Sequence, residues 1–551
     1  MMQKLKVFFS YYFYILKLLI NAFLPPPPPR RRCLNACITL ALRKYARCCC
    51  QMSILDVSAS FLVSALLGSC LIAFVFRLLK QRCPAGTRLP PLAPSHLPLI
   101  GHALAYKRDP AAFLTRACEV CGPVFRINLA GRCFVVVGSD RSTMRQVACA
   151  GEDVLSARAA VLDVGFEQTL GLMNVIVGTD FHRACVQSSF AGSRLGDEAE
   201  PMLRALQRAL QFEFSAAAEC GGIVPDFLQL VRRCVLRSVI CRLLGEAVMA
   251  RLPHHFINTF MAFQDAVETA TARAAVLPRW FARIFVLPSV EAQRACVRDH
   301  LSCAIADAWL GDDGSGCGPW LHSFKKSGTR HADAGELSVG LLFAAHKNPA
   351  IGAAQAVLFT LQSDASFLSQ VYAAAASAQR QPSSALCDPS SLLRRVALET
   401  CRVTAHAIGA VRKVTRPNGF KLDCGKHRFW VKQGETIALT HIAVHRCARL
   451  WGCDGSRRQA GASDASPDVF APQRSQWNES PDPYTHTTFS HGLHRCPGEG
   501  LALLIIQCVL AEVLAGPWQC CVQGQLPELS WERATLAQRS SPVVMRVQRR
   551  D

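Results

Sequence analysis

The first fifty residues contain no aspartate or glutamate. The nine cations there (Lys4, Lys6, Lys17, Arg30, Arg31, Arg32, Arg43, Lys44 and Arg47) carry part of the chain's excess of 61 Lys and Arg over 40 Asp and Glu, so the remainder is less extreme. Zinc-type spacing is also absent. The 27 cysteines are scattered and odd in number, include the run Cys48-Cys49-Cys50, and form no pair of C-x-x-C motifs. That excludes a zinc ribbon and a small disulfide scaffold, and leaves most of them as small buried hydrophobes in a reducing compartment. Interleaved aromatic and basic residues of the kind that bind nucleic acid are missing, so the basic excess points to an acidic protein surface or an anionic membrane face. No internal repeat is present. With 551 residues, half of them hydrophobic, the chain can bury one large catalytic core or two medium ones.

Charge of either sign is absent from Val57 to Phe76, and as a helix this stretch is long enough to cross a bilayer. Arg77, Lys80 and Arg82 follow it while only Asp56 precedes it, which directs the downstream chain to the cytosol. Residues 52–82 are therefore expected to be a transmembrane anchor. A second apolar run, Val7 to Leu24, is interrupted by Lys17 and followed by the tract Pro25 to Arg32. Residues 1–51 are expected to be an extension or targeting segment, with Met52 a candidate alternative start. The acid-free, arginine-bearing terminus also keeps a mitochondrial address open beside the endoplasmic reticulum.

The prolines of "LPPLAPSHLPLIGHAL", Leu89 to Leu104, exclude a helix and predict a stiff extended hinge over residues 83–104. In "CGPVFRINLAGRCFVVVGS", Cys121 to Ser139, two β-branched runs flank a glycine-containing turn and predict a hairpin. From Asp140 to about Ala410 the pattern is helical, broken by polar loops. The fold class is mainly α with small β-sheets, and residues 105–551 form the catalytic domain.

Near the carboxyl end stands "FSHGLHRCPGEG", Phe489 to Gly500. A cysteine that ligates iron as thiolate needs a tight, backbone-rich loop whose N–H groups stabilise the sulfur charge, and glycines permit that approach. Phe489 packs beside Cys496, Gly492 and Gly498 make the turns, and "EGLALLIIQCVLAEVL" continues as a helix with its positive end toward the sulfur. This loop resembles the haem-ligand signature of the cytochrome P-450 superfamily, and other motifs match that family in order. "ETCR" supplies Glu399 and Arg402 on one helical face, and "FAPQR" supplies Phe470, Pro472 and Arg474. The resemblance covers about Leu89 to the carboxyl end. It implies a helix-rich triangular prism with an N-terminal transmembrane helix, haem b held by Cys496 as axial thiolate and metal ligand, and a Glu399-Arg402-Arg474 cluster bracing the loop. His494, Arg495, Arg412, and His182 or Arg183 are the implied partners of the haem propionates.

Two places depart from the family pattern. In "LLFAAHKNPAIG", Leu341 to Gly352, the usual Gly, acid and Thr are Ala345, Lys347 and Asn348. Asn348 resembles the residue found in the bile-acid hydroxylase and prostacyclin synthase branches and can hold a water. Lys347 must either turn outward or lose its charge on burial. Pro349 is expected to break or kink this helix. In "GTDFHRACVQSSF", Gly178 to Phe190, Phe181 replaces the family tryptophan. An apolar pocket is expected to be lined by Phe166, Phe343, Ala344, His406 and Ile408.

"GLHRC" is similar to the "GRHRC" of sterol demethylases, as are Leu277 to Leu301 and the closing "AQRSSPVVMRVQRR" to their regions. The implied function is a membrane-anchored haem-thiolate monooxygenase acting on a sterol-like substrate with O2 and electrons from an NADPH-cytochrome P-450 reductase. A cytochrome b5 is a second candidate donor, and the basic residues Lys426, Arg428 and Arg495 are the docking face. The alternatives are a haem-thiolate isomerase or dehydratase of lipid hydroperoxides, and a non-catalytic haem or sterol binder.

Overall fold

The computed structural model describes residues 83–550 apart from 98–99, 177, 191, 193, 276, 278, 310–316, 452–465 and 478–481. The anchor expected at residues 52–82 and the earlier run Val7 to Leu24 lie outside the described residues. Among those described, no helix is long and apolar enough to cross a membrane. The chain divides into two compact units, Met1–Ala85 and Gly86–Asp551, and all elements below belong to the second.

The hinge segment does not form a helix until Ala103. Its extended backbone lies along sheet edges: Arg88 N donates to Arg428 O at 3.0 Å, Ala93 N to Arg126 O at 2.9 Å, and Arg126 N to Pro91 O at 2.7 Å. Helix α1 (Pro110–Cys121) starts with proline at N1 behind the cap Asp109, whose carboxylate accepts from Ala112 N. The predicted hairpin follows as β1 (Val124–Leu129) and β2 (Arg132–Val137), paired antiparallel through Ala130 and Gly131. Both turn residues have positive φ, 50° and 92°, the backbone hand that suits a two-residue hairpin turn.

Next come α2 (Arg141–Cys149), β3 (Leu155–Ser156), α3 (Ala157–Leu162), α4 (Gly178–Phe190), α5 (Arg194–Glu219), β4 (Ile223–Val224) and α6 (Phe227–Val239). Asp140 and Asp226 cap α2 and α6 by accepting from Thr143 N and Gln229 N. They are followed by α7 (Phe256–Ala274), α8 (Arg279–Phe285), α9 (Pro288–Trp309), α10 (His331–Leu361), α11 (Ala365–Arg380) and α12 (Leu392–Val403). The chain then turns to sheet: β5 (Ala410–Val414), the hairpin β6 (Phe420–Cys424) and β7 (His427–Val431), and β8 (Thr436–Leu439). After the cysteine loop, α13 (Glu499–Ala515) leads into β9 (Trp518–Val522), β10 (Leu529–Ser530), β11 (Gln538–Arg539) and β12 (Met545–Arg549). The main sheet has the order β1-β2-β8-β5-β3, with β2 and β8 parallel and the other pairs antiparallel.

α10 and α13 pack together at the centre of the helical core, with α9 and α6 also against α10. α13 is buried on every side from Leu503 to Leu514, the pattern of an interior helix. Pro349 does not end α10, which runs unbroken to Leu361. Proline inside a helix costs about 3 kcal/mol. Here nearly every residue from Ala350 to Leu358 is fully buried, and each large apolar side chain so buried contributes about 1.5–3 kcal/mol, enough to hold the helix through the proline.

Candidate functional site

Cys496 sits between a short turn, Gly492–His494, and the amino terminus of α13. Its N–H donates to Phe489 O at 2.8 Å, closing the loop. Gly492 takes φ +67°, and a Cβ there would lie 2.3 Å from Ala148 O, so both hand and space demand glycine. A Cβ on Gly498 would stand 3.9 Å from Cys496 Sγ, an ordinary van der Waals contact. Protein crowds Cys496 on most sides while one side stays reachable by solvent. The crowding pushes its thiol up; the Gly498 N–H, Arg183 and Arg495 oppose that shift, and the charge of Glu499 adds to it.

The expected carboxylate and guanidinium cluster forms between α12 and the segment 466–477. Glu399 is fully buried and accepts from Arg402 Nε at 2.7 Å and Nη2 at 2.8 Å, and from Arg474 Nε at 3.1 Å. Two further donors complete its shell: Ala471 N at 2.8 Å and Trp477 Nε1 at 3.1 Å. Arg402 spends its remaining N–H groups on the carbonyls of His445, Pro467 and Val469 at 2.5–3.0 Å. A buried ion pair is tolerable only when every lone pair and proton is satisfied in this way. The tryptophan and the backbone donor were not foreseen from sequence, because nothing in their spacing marks them.

On the sheet side, Arg412 of β5 is buried and its Nε finds no partner. Burial pulls its guanidinium down and Glu152 opposes that shift. His491 lies within the field of Arg412, with both ring nitrogens unpartnered, and burial lowers it to about 4. Arg412 Nη1 donates to Val411 O at 2.7 Å, but buried polar groups are normally paired, so the unpartnered Arg412 Nε and the one N–H of the neutral His491 ring mark where a ligand's anionic groups belong.

The other propionate candidates are placed differently. Arg495 points to Glu499 at 3.0 Å, and His494 lies 3.4 Å from Glu152. Arg183 donates to Leu493 O at 2.9 Å, holding the loop. His182 turns instead to α10, where a Cβ on Gly340 would meet its Cε1 at 2.8 Å. Its neighbour Phe181 packs against Phe324, with ring centroids 5.3 Å apart. Without the tryptophan, that helix face is absorbed into the core.

Along α10 most side chains from Ala334 to Thr360 are buried, but Ala344 is exposed and Phe343, Ala345 and Asn348 are partly so. This opening breaks the core at the level expected for the pocket. His406 and Ile408 are half-buried at the turn before β5, and His406 is lowered to about 4 by burial. Phe166 is half-buried against the main core.

Lys347 does not face that opening. It is 4% exposed, and its Nζ lies 2.6 Å from both Asp265 Oδ1 and Glu268 Oε2 on α7. Arg232 grips Asp265 with two bonds of 3.1 Å, and His346 joins Gln264 to the Arg232 carbonyl. Burial alone would raise the Asp265 carboxyl, but Lys347 and then Arg232 hold it below its ordinary value of 3.8. Asn348 Oδ1 accepts from Leu536 N at 3.1 Å. The partners Asp265, Glu268 and Arg232 could not be found from sequence, because they lie far from Lys347 along the chain in ordinary amphipathic helices.

No family model matches the chain. Lanosterol 14-alpha demethylase of Rattus norvegicus is 35% identical over 97 residues, which is 16% of this chain and 19% of that protein. The Homo sapiens protein of the same name is 40% identical over 62 residues, 11% of this chain and 12% of its own length. Cytochrome P-450 1A2 of Callithrix jacchus is 39% identical over 77 residues, 14% of each chain. The chain thus spans about a fifth or less of the length of these curated relatives. The cysteine loop, the buried Arg412 with its unpartnered Nε, and the open stretch of α10 suit a flat, dianionic iron cofactor. The chain is similar to the cytochrome P-450 superfamily.

Proposed function

We propose that this protein is a haem-thiolate monooxygenase of a lipophilic, sterol-like substrate, fed with electrons by an NADPH-dependent flavoprotein reductase at the cytosolic face of the endoplasmic reticulum. The observation that carries the reading is Cys496 at the amino terminus of an interior helix, in a chain that also assembles the buried Glu399-Arg402-Arg474 cluster. Haem, when bound, supplies the iron at which dioxygen is taken up and reduced. Cys496 would hold it as thiolate, and the N–H of Gly498 with the positive end of α13 stabilises that negative charge. Arg412 and His491 would hold its carboxylates, because Arg412 Nε and the His491 ring nitrogens are buried without a partner.

Asn348, partly exposed at the opening in α10, keeps its amide N–H2 to hold a water, while its oxygen is taken by Leu536. Lys347 acts at a distance as a positioning residue, locking α10 to α7. The exposed Lys426 and Arg428, with Arg495, offer a basic face for an acidic reductase. The human and rat relatives that are named sterol demethylases motivate the substrate class.

The test is a reduced carbon-monoxide difference spectrum, repeated during titration with methylated sterols. A red-shifted Soret band and a sterol-induced spin shift are expected. Absence of the thiolate band removes Cys496 as ligand. The pairing of Lys347 with two carboxylates favours one further reading, an isomerase of lipid hydroperoxides that needs no acid in α10. Turnover of a hydroperoxide without NADPH, and none of a sterol with it, selects that alternative.

A further inference from the structure

α9 carries Cys296, His300, Cys303 and Asp307 at steps of four, three and four residues, the spacing that keeps side chains on one helical face. That face meets the start of α7. Arg251, just before α7, lies 3.7 Å from Asp307, and His255, the N-cap of α7, brings its ring centroid to 5.6 Å from that of His300 with the planes 76° apart. The segment therefore approaches from the Asp307 end of the face, which puts His255 beside the turn from His300 to Cys303. His300 is half-buried, with the fully buried Phe256 ring 6.1 Å from it, and its Nδ1 is shielded from solvent without a hydrogen-bond partner. Buried polar atoms are normally paired, so this nitrogen is open to a ligand.

His255 and Cys303 are both exposed. Zinc holds imidazole nitrogens at about 2.0–2.1 Å in a tetrahedral set, which spaces two ligating rings by roughly 5 Å between centroids, close to the separation already present. Three such ligands do not converge on one point among the described residues. Rotation of the exposed Cys303 side chain closes the set, a step that exposed residues make within nanoseconds. We infer that His255, His300 and Cys303 form a binding site for a borderline-soft divalent cation, zinc above all, with water as the fourth ligand. Zn2+ takes lone pairs from the two imidazoles and from the Cys303 sulfur, whose thiol proton passes to the buffer. The ion clips the start of α7 to α9. None of these residues belongs to the cysteine loop or to the Glu399 cluster, so the inference stands apart from the haem reading.

The experiment is equilibrium dialysis of the full chain against radioactive Zn2+, with Ca2+ and Mg2+ as competitors. A saturable site is expected whose affinity falls at least about tenfold on His255→Ala, on His300→Ala and on Cys303→Ser, since loss of even a group behind a metal ligand costs that much. Ca2+ and Mg2+, which prefer oxygen ligands, should not displace the zinc. Cys296→Ser is the control: that exposed thiol shares the helical face but lies at its other end, and its loss should leave the affinity unchanged. Cys303→His should keep the affinity within about tenfold of the unchanged protein, because imidazole is also a zinc ligand. In a buffer above the titration range of imidazole, the same variant should no longer release a proton on binding, a change that misfolding does not produce. Displacement of zinc by Ca2+ or Mg2+ at comparable concentration, Cys296→Ser weakening binding as much as Cys303→Ser, or unchanged affinity in the three ligand variants overturns the inference.

Discussion

Replacing Lys347 by methionine removes one ammonium and keeps the side chain's length. In the folded protein that ammonium contacts Asp265 and Glu268, both at 2.6 Å, with the lysine side chain 5% and Glu268 15% exposed. Breaking a buried pair by removing one partner costs about 3–5 kcal/mol, because the carboxylate left behind is desolvated and uncompensated. Asp265 keeps both bonds from Arg232, and Arg533 stands 3.8 Å from it, so the loss falls mainly on Glu268 and the expected cost is about 3 kcal/mol. For a chain of this size that lowers Tm by about 3 °C, measured by circular dichroism. Glu268→Gln in the Lys347→Met background should recover most of the loss, a coupling of about 2 kcal/mol in a double-mutant cycle. A Lys347→Met cost under about 0.5 kcal/mol, or additive behaviour of the two changes, refutes the latch between α7 and α10.

Four shorter predictions accompany it. Cys496→Ser should abolish the red-shifted carbon-monoxide band while leaving the circular dichroism spectrum intact. Glu399→Gln leaves Arg402 and Arg474 buried without their carboxylate, and should cost at least about 3 kcal/mol, read as loss of soluble, folded protein on expression. Gly492→Ala meets both the positive φ and the Ala148 carbonyl, so haem content should fall even where the rest of the fold survives. Acid should unfold the protein early. Burial holds His346 and His486 near 3, and His441 and His445 well below 6.5, so the unfolded chain takes up protons that the folded chain refuses. Stability then rises with pH, at about 1.4 kcal/mol per unit for each histidine between its folded value and 6.5, and is fully present above 6.5. A denaturation midpoint that does not move between pH 7 and pH 5 contradicts the burial of these four rings.

The parts legible in the sequence are those where a local rule carries the whole argument. Glycine at 492 and 498, a helix-forming run directly after Cys496, and Glu399 three residues before Arg402 are short-range facts, and the structure places them as expected. The β1-β2 hairpin was legible for the same reason, from two β-branched runs around a glycine-containing turn. Of the break or kink expected at Pro349, the break does not occur, because the local penalty of proline is outweighed by burial along α10, which depends on partners far away in sequence. Arg495, His494 and His182 were assigned to propionates by their position in a motif, yet Glu499, Glu152 and Gly340 hold or face them. The latch at Lys347 and the histidine stack linking His441, His445 and His486 were invisible, since each joins residues brought together only by tertiary packing.

β5 also bears on how the molecule tolerates change. Its register against β8 pairs Arg412 with Ile437 and Lys413 with Thr436, so the two cations leave opposite faces of one strand. Deleting or inserting a single residue before Arg412 would exchange those faces. A lysine would then look at the cysteine loop and an arginine at the opposite side, with the charge of each face conserved and its geometry lost. The strand ties the evolution of the two faces together: each side chain can be varied in place, but neither face can drift along the chain without carrying the other with it.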